Sequence, residues 1–144
     1  MLTAGLLVVL IGCPSGTEMT VEQRVGAFMT DINATPPDYS LVKAHFSPDT
    51  PSYGSLQLQT FWDATYFAQV NQQFTLGTMT LDDLADGGYT DGVTYSGEIT
   101  ADGVVGTYTA TFILVPDADA LFVENWLIRE IDISDGSDPI YNYR

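Results

Sequence analysis

The sequence predicts an α+β domain in which three N-terminal helices pack on one face of a curved antiparallel sheet of about four strands. Three observations predict it. Apolar residues recur at helical spacing after Thr20, with Val21, Val25, Phe28, Met29 and Ile32 on one stripe. After Val70 the chain turns to alternating Thr, Val, Tyr and Phe, the pattern of half-buried strands. In the first of those strands the alternation changes phase beside Gly77, which is what a β-bulge produces, and a bulge bends its strand.

The first segment, residues 2–12 (LTAGLLVVLIG), is uncharged and apolar. A membrane-spanning helix needs roughly twenty such residues. This run is shorter and has the length of the apolar region of a secretory signal peptide. It ends on Leu10-Ile11-Gly12-Cys13: an aliphatic residue, a tolerated one, a small one, then cysteine. That quartet resembles the lipobox of bacterial lipoproteins. The resemblance implies diacylglycerol on the Cys13 sulfur, cleavage before Cys13 and acylation of the new amino terminus. Two lipid signals anchor stably where one acyl chain does not. The expected organisation is a signal peptide over 1–12, a lipidated cysteine and tether over 13–19, and a single domain over 20–144. The expected location is the bacterial envelope, membrane-anchored, with Pro14 after the cysteine favouring the outer membrane or cell surface. The alternative is a buried N-terminal strand with Cys13 as a small hydrophobe; the linker-like flank Pro14-Ser15-Gly16-Thr17 favours the tether.

In the domain, "TVEQ" places Thr20 as a helix N-cap with Gln23 reaching back, a capping box. The helix ends before "NATPPD", and a short second helix, "DYSLVKAHF", starts on Asp38 as its cap. "LQLQTFWDATYF" reads as a third short helix with Leu58, Phe61 and Trp62 inward. Strand "QFTLGTMTLDDL" follows, with Phe74 and Leu76 in one phase and Met79 and Leu81 in the other. "YTDGVTYSGEIT" carries Val93, Tyr95 and Ile99 in phase, and "ADG" turns into "VVGTYTATFILV". There Tyr108, Ala110, Phe112 and Leu114 oppose Thr107, Thr109 and Thr111. "PDADA" turns into the last long strand, "LFVENWLIREIDI".

A chain of 144 residues has room for one core. Its 19 acidic residues against Arg24, Lys43, Arg129 and Arg144 give a net charge of -15. Such a surface repels phosphate backbones, which excludes sequence-independent nucleic-acid binding. A single cysteine excludes an internal disulfide and any cysteine-cluster metal site. The loop "DDLADGGYTDG" carries Asp82, Asp83, Asp86 and Asp91, but lacks the alternating ligands and closing Glu of an EF-hand, so it reads as a solvated turn. No phosphate loop, nucleophile elbow, zinc motif or dinucleotide fingerprint is present, and no cofactor is expected.

Element order over residues 20–135, the segment "DINATPPDYSLVKAHFSP" and the strand "ENWLIREIDI" together resemble the nuclear transport factor 2-like superfamily, also called cystatin-like. The resemblance implies a cone-shaped fold whose sheet curls around the helices to leave a pocket. Pairing the last two long strands with Val115 opposite Leu121 sets Phe112 against Glu124, Ala110 against Trp126 and Tyr108 against Ile128. That register would gather Trp62, Tyr108, Phe112, Glu124 and Trp126 around a pocket for a small apolar ligand. A carboxylate there would have a raised pKa and serve as an acid or base. A one-residue slip sends Glu124 to solvent. His45, the sole histidine, and Asp63 are the other weak candidates for such chemistry, as in the isomerases and cyclases of that superfamily; the simpler role for His45 is to cap or pack. The favoured expectation is a non-catalytic envelope lipoprotein that binds a small apolar ligand or an envelope protein. The alternatives are an isomerase- or cyclase-like enzyme and a homodimer formed through the Thr107/Thr109/Thr111 face.

Overall fold

A computed structural model describes residues 18–68, 73–84, 91–120 and 124–135, together with the backbone of 139–143. The lipobox and Cys13, like Asp86 and Leu121, lie outside the described residues.

Helix α1 runs Val21–Ile32 and opens on the expected capping box: Thr20 Oγ1 accepts from the Gln23 N–H while the Gln23 side chain accepts from the Thr20 N–H. Its stripe of Val21, Val25, Phe28, Met29 and Ile32 is buried as the spacing requires. Helix α2 is a single turn, Tyr39–Lys43, capped by Asp38. Helix α3 is shorter than expected, Gln59–Trp62; Trp62 is buried and donates to the Leu56 carbonyl, whereas Leu58 turns out to solvent at 49 % exposure. Turns of 3-10 helix at Tyr53–Ser55 and Tyr66–Ala68 flank it.

The strands form an antiparallel meander in the order β1 (Phe74–Asp83), β2 (Val93–Ala101), β3 (Tyr108–Pro116), β4 (Trp126–Ser134) and β5 (Pro139–Tyr143). The fifth strand was not anticipated. The phase change in β1 is a bulge: Leu76 pairs with Ile99 and Met79 with Gly97, so two residues oppose Glu98 alone. This sets Phe74, Leu76, Met79 and Leu81 on one face.

The β3–β4 register differs from the expected one. Phe112 pairs with Ile131, Ala110 with Ile133 and Pro116 with Trp126. The connection is longer than the "PDADA" turn, because the Asp117 N–H bonds to the Asn125 carbonyl and β4 begins only at Trp126. A second irregularity, between Ile113 and Leu114, lets Ile128, Ile131 and Ile133 all reach the core at 0 % exposure. Three buried isoleucines outweigh the register that would have placed Glu124 there.

The core sits between α1 and the sheet with Phe28 at its centre, within 5.5–6.3 Å of the rings of His45, Phe46, Trp62, Phe67 and Phe112. The outer edge of β4 is covered by short parallel bridges. Ile128 donates to the His45 carbonyl and accepts from Ser47, and Trp126 and Glu124 bond the two sides of Met19. The chain therefore enters the domain pinned to the start of β4.

Candidate functional site

The structure separates the residues expected to share a pocket. Trp62 and Phe112 lie in the closed core at 1 % and 0 % exposure. Tyr108 is half-buried against Tyr66, with ring centroids 5.2 Å apart. Trp126 sits at the far end of the sheet and donates its indole N–H to Glu124 at 2.7 Å, and Glu124 is exposed. Asp63 is exposed at the end of α3. His45, Asp63 and Glu124 do not form a cluster, since both ring nitrogens of His45 bond elsewhere. Thr107 and Thr109 are exposed and Thr111 half-buried, paired with Asp132 and Ser96.

In place of that set the fold assembles a buried polar relay. Arg24, Phe28 and Asp31 follow one another at four and three residues along α1 and so share a face. His45, just beyond α2, is brought against that face by the bridge of Phe46 to β4. The Arg24 guanidinium, 8 % exposed, donates Nε–H to the Trp126 carbonyl at 2.6 Å, an Nη2 proton to Asn125 Oδ1 at 2.7 Å and an Nη1 proton to His45 Nδ1 at 3.3 Å. Asn125 in turn donates to Asp117 Oδ2 at 2.7 Å. On the other side of the ring, His45 Nε2 and Asp31 Oδ2 lie 2.7 Å apart.

The protons of this relay follow from its donors. A guanidinium has no acceptor, so Nδ1 must accept, and Nε2 carries the hydrogen given to Asp31. His45 is thus a neutral Nε2–H tautomer. Burial lowers its pKa from 6.5; hydrogen bonding to Asp31 opposes this, and the Arg24 charge adds to it. Burial likewise lowers Arg24, while Asp117 pulls it back up. With Nδ1 accepting from Arg24 and Nε2 donating to Asp31, His45 offers a substrate no free ring nitrogen. The relay holds structure together; it is not built as an acid–base centre.

The relay ends on the wall of an open groove of about 590 Å³. Pro48, Val115, Pro116 and Leu127 supply apolar lining, Asp49, Asp91, Asp117 and Asp119 supply acid, and Arg129 supplies the one base. The groove lies where the 47–49 loop and the β3–β4 connection flank the start of β4, and its Asp117 accepts from Asn125, the bridge partner of Met19. Among the described residues no three His, Cys, Asp or Glu side chains come together to hold a metal ion.

Two parts of this site were missed from the sequence. Arg24 interrupts the apolar stripe at three residues from Val21 and four from Phe28, and a charged residue on a core-facing stripe was the available signal. The groove left only "PDADA", which reads as a turn. Compared with family models, with curated proteins and with solved structures, the chain matches none.

Proposed function

We propose that this chain is a lipid-tethered bacterial envelope protein whose domain acts by binding a protein partner, with the groove along Val115–Asp119 as its contact surface. The observation that carries this reading is the position of Met19. Bonded to Glu124 and Trp126, it lies six residues after Cys13 at the corner where Asn125 holds the groove residue Asp117. A six-residue tether reaches at most about 20 Å, so it would hold the groove near the bilayer, where an acidic rim repels anionic headgroups and leaves the surface to a partner. The aromatic interior closes on itself around Phe28, which favours a protein partner over a small apolar ligand in the core. The engaged nitrogens of His45 and the exposure of Glu124 favour binding over isomerase or cyclase chemistry. The nuclear transport factor 2-like resemblance is part of the same reading: the bulged β1 and the helix across the sheet are what a cone-shaped, cystatin-like domain would use.

Metabolic labelling with a palmitate analogue, followed by gel fluorescence, tests the tether. Wild type should label and Cys13→Ala should fall to background. Equal labelling of the two removes the reading.

A further inference from the structure

We infer that His45 is an acid-sensitive clamp on the N-terminal junction of the domain. Neutral, it closes α1 onto the start of β4; protonated, it releases Met19, the front of α1 and Asn125–Trp126. This does not depend on what Cys13 carries.

The inference rests on what surrounds the ring. From α1, Arg24 donates to Nδ1 and Asp31 accepts from Nε2. The Phe28 ring meets the imidazole edge-on, and β4 contributes the Ile128 N–H on the His45 carbonyl. Asp117 acts at one remove, through Asn125 on Arg24. Lys43, on the neighbouring turn, points away to Gln57 and the Tyr53 ring. A second proton on the imidazole must go to Nδ1. There it faces an Arg24 N–H 3.3 Å away, so one hydrogen bond is lost and two cations meet in a buried site. Asp31 already accepts from Nε2, so it offers charge but no new bond.

Arg24 also bridges α1 to the Asn125–Trp126 corner. If it is pushed off His45, its bonds to the Trp126 carbonyl and Asn125 Oδ1 loosen too. Met19 loses its footing, because it pairs with that same corner. The sign follows from the direction of the shift. A folded-state pKa below the model value of 6.5 makes the clamp fully effective above pH 6.5. It is lost as pH falls through the folded-state value. Each unit of depression favours the open form by about tenfold.

His45 is the only histidine, so its ring resonances need no assignment by mutation. Amide exchange protection measured by NMR from pH 7.5 to pH 5 on the described domain within the full chain should fall at Met19, Trp126 and Ile128 about tenfold more than at β2–β3 amides. In His45→Gln, whose amide can accept from Arg24 and donate to Asp31 without titrating, that difference should vanish. A uniform fall across the sheet, no fall, or the same local fall in His45→Gln overturns the inference. Should the variant not fold, the wild-type ring decides: a midpoint at or above the ordinary histidine value, or a protonated ring with the three amides still protected, overturns it equally.

Discussion

Replacing Arg24 with methionine is expected to lower the unfolding free energy by about 3 kcal/mol, read as a fall in urea midpoint at unchanged slope. Methionine fills much of the space of the aliphatic stem, so little of the loss comes from packing. It comes from the acceptors left behind. The Trp126 carbonyl, Asn125 Oδ1 and His45 Nδ1 would each lose a charged donor in a place where water has poor access. Arg24→Lys should recover less than half of the deficit, because an ammonium on a flexible stem cannot fork to three acceptors in three directions. A loss under about 1 kcal/mol for Arg24→Met would mean that the relay is solvated and contributes no more than a surface contact.

The Asn125 and Trp126 partners of Arg24 lie 101 and 102 residues away in the chain, and this separation explains what could be read in advance. Local signals were legible. The Thr20 capping box, the apolar stripe of α1, the Asp38 cap and the bulge in β1 each depend on residues within a few positions of one another, and each is present. The β3–β4 register was not legible, since it is decided by competition between whole faces. Ile128, Ile131 and Ile133 win the core only by way of an irregularity that no local pattern announces. The candidate pocket failed with that register, because Glu124 and Trp126 were placed by it alone. Trp62 and Phe112 are apolar and inward as expected, and each packs its ring against Phe28 in the core. His45 could be seen as a residue that packs; its two partners, fixed by the meeting of α1 with the edge of β4, could not.

Gly97 is where local and long-range constraints meet, and substituting it is expected to cost about 3 kcal/mol. In the bulge of β1, Gly77 and Thr78 together face Glu98, and the Thr78 carbonyl leans over the Gly97 α-carbon. A β-carbon at 97 would lie 2.4 Å from that oxygen and 3.0 Å from the Met79 α-carbon, both backbone atoms, besides 2.6 Å from the mobile Met79 sulfur. The sulfur can swing away; the backbone can yield only by opening the bulge. Opening it restores simple alternation, which turns either Phe74 and Leu76 or Met79 and Leu81 to the opposite face. Phe74 is 5 % exposed and packs its ring 5.0 Å from Phe67, so the strain falls on the Met79–Asp83 half, where burial is slight and exposure is already 47 % at Leu81. Gly97→Ala should therefore unfold at lower urea and lose amide protection first at Met79–Asp83. Gly26, on the exposed side of α1 with nothing within 4 Å of a new β-carbon, provides the contrast: Gly26→Ala should stabilise by about 0.5–1 kcal/mol through helix propensity. Equal behaviour of the two alanines in urea would show that the single face shared by Phe74, Leu76, Met79 and Leu81 is held by packing alone and not by the bulge.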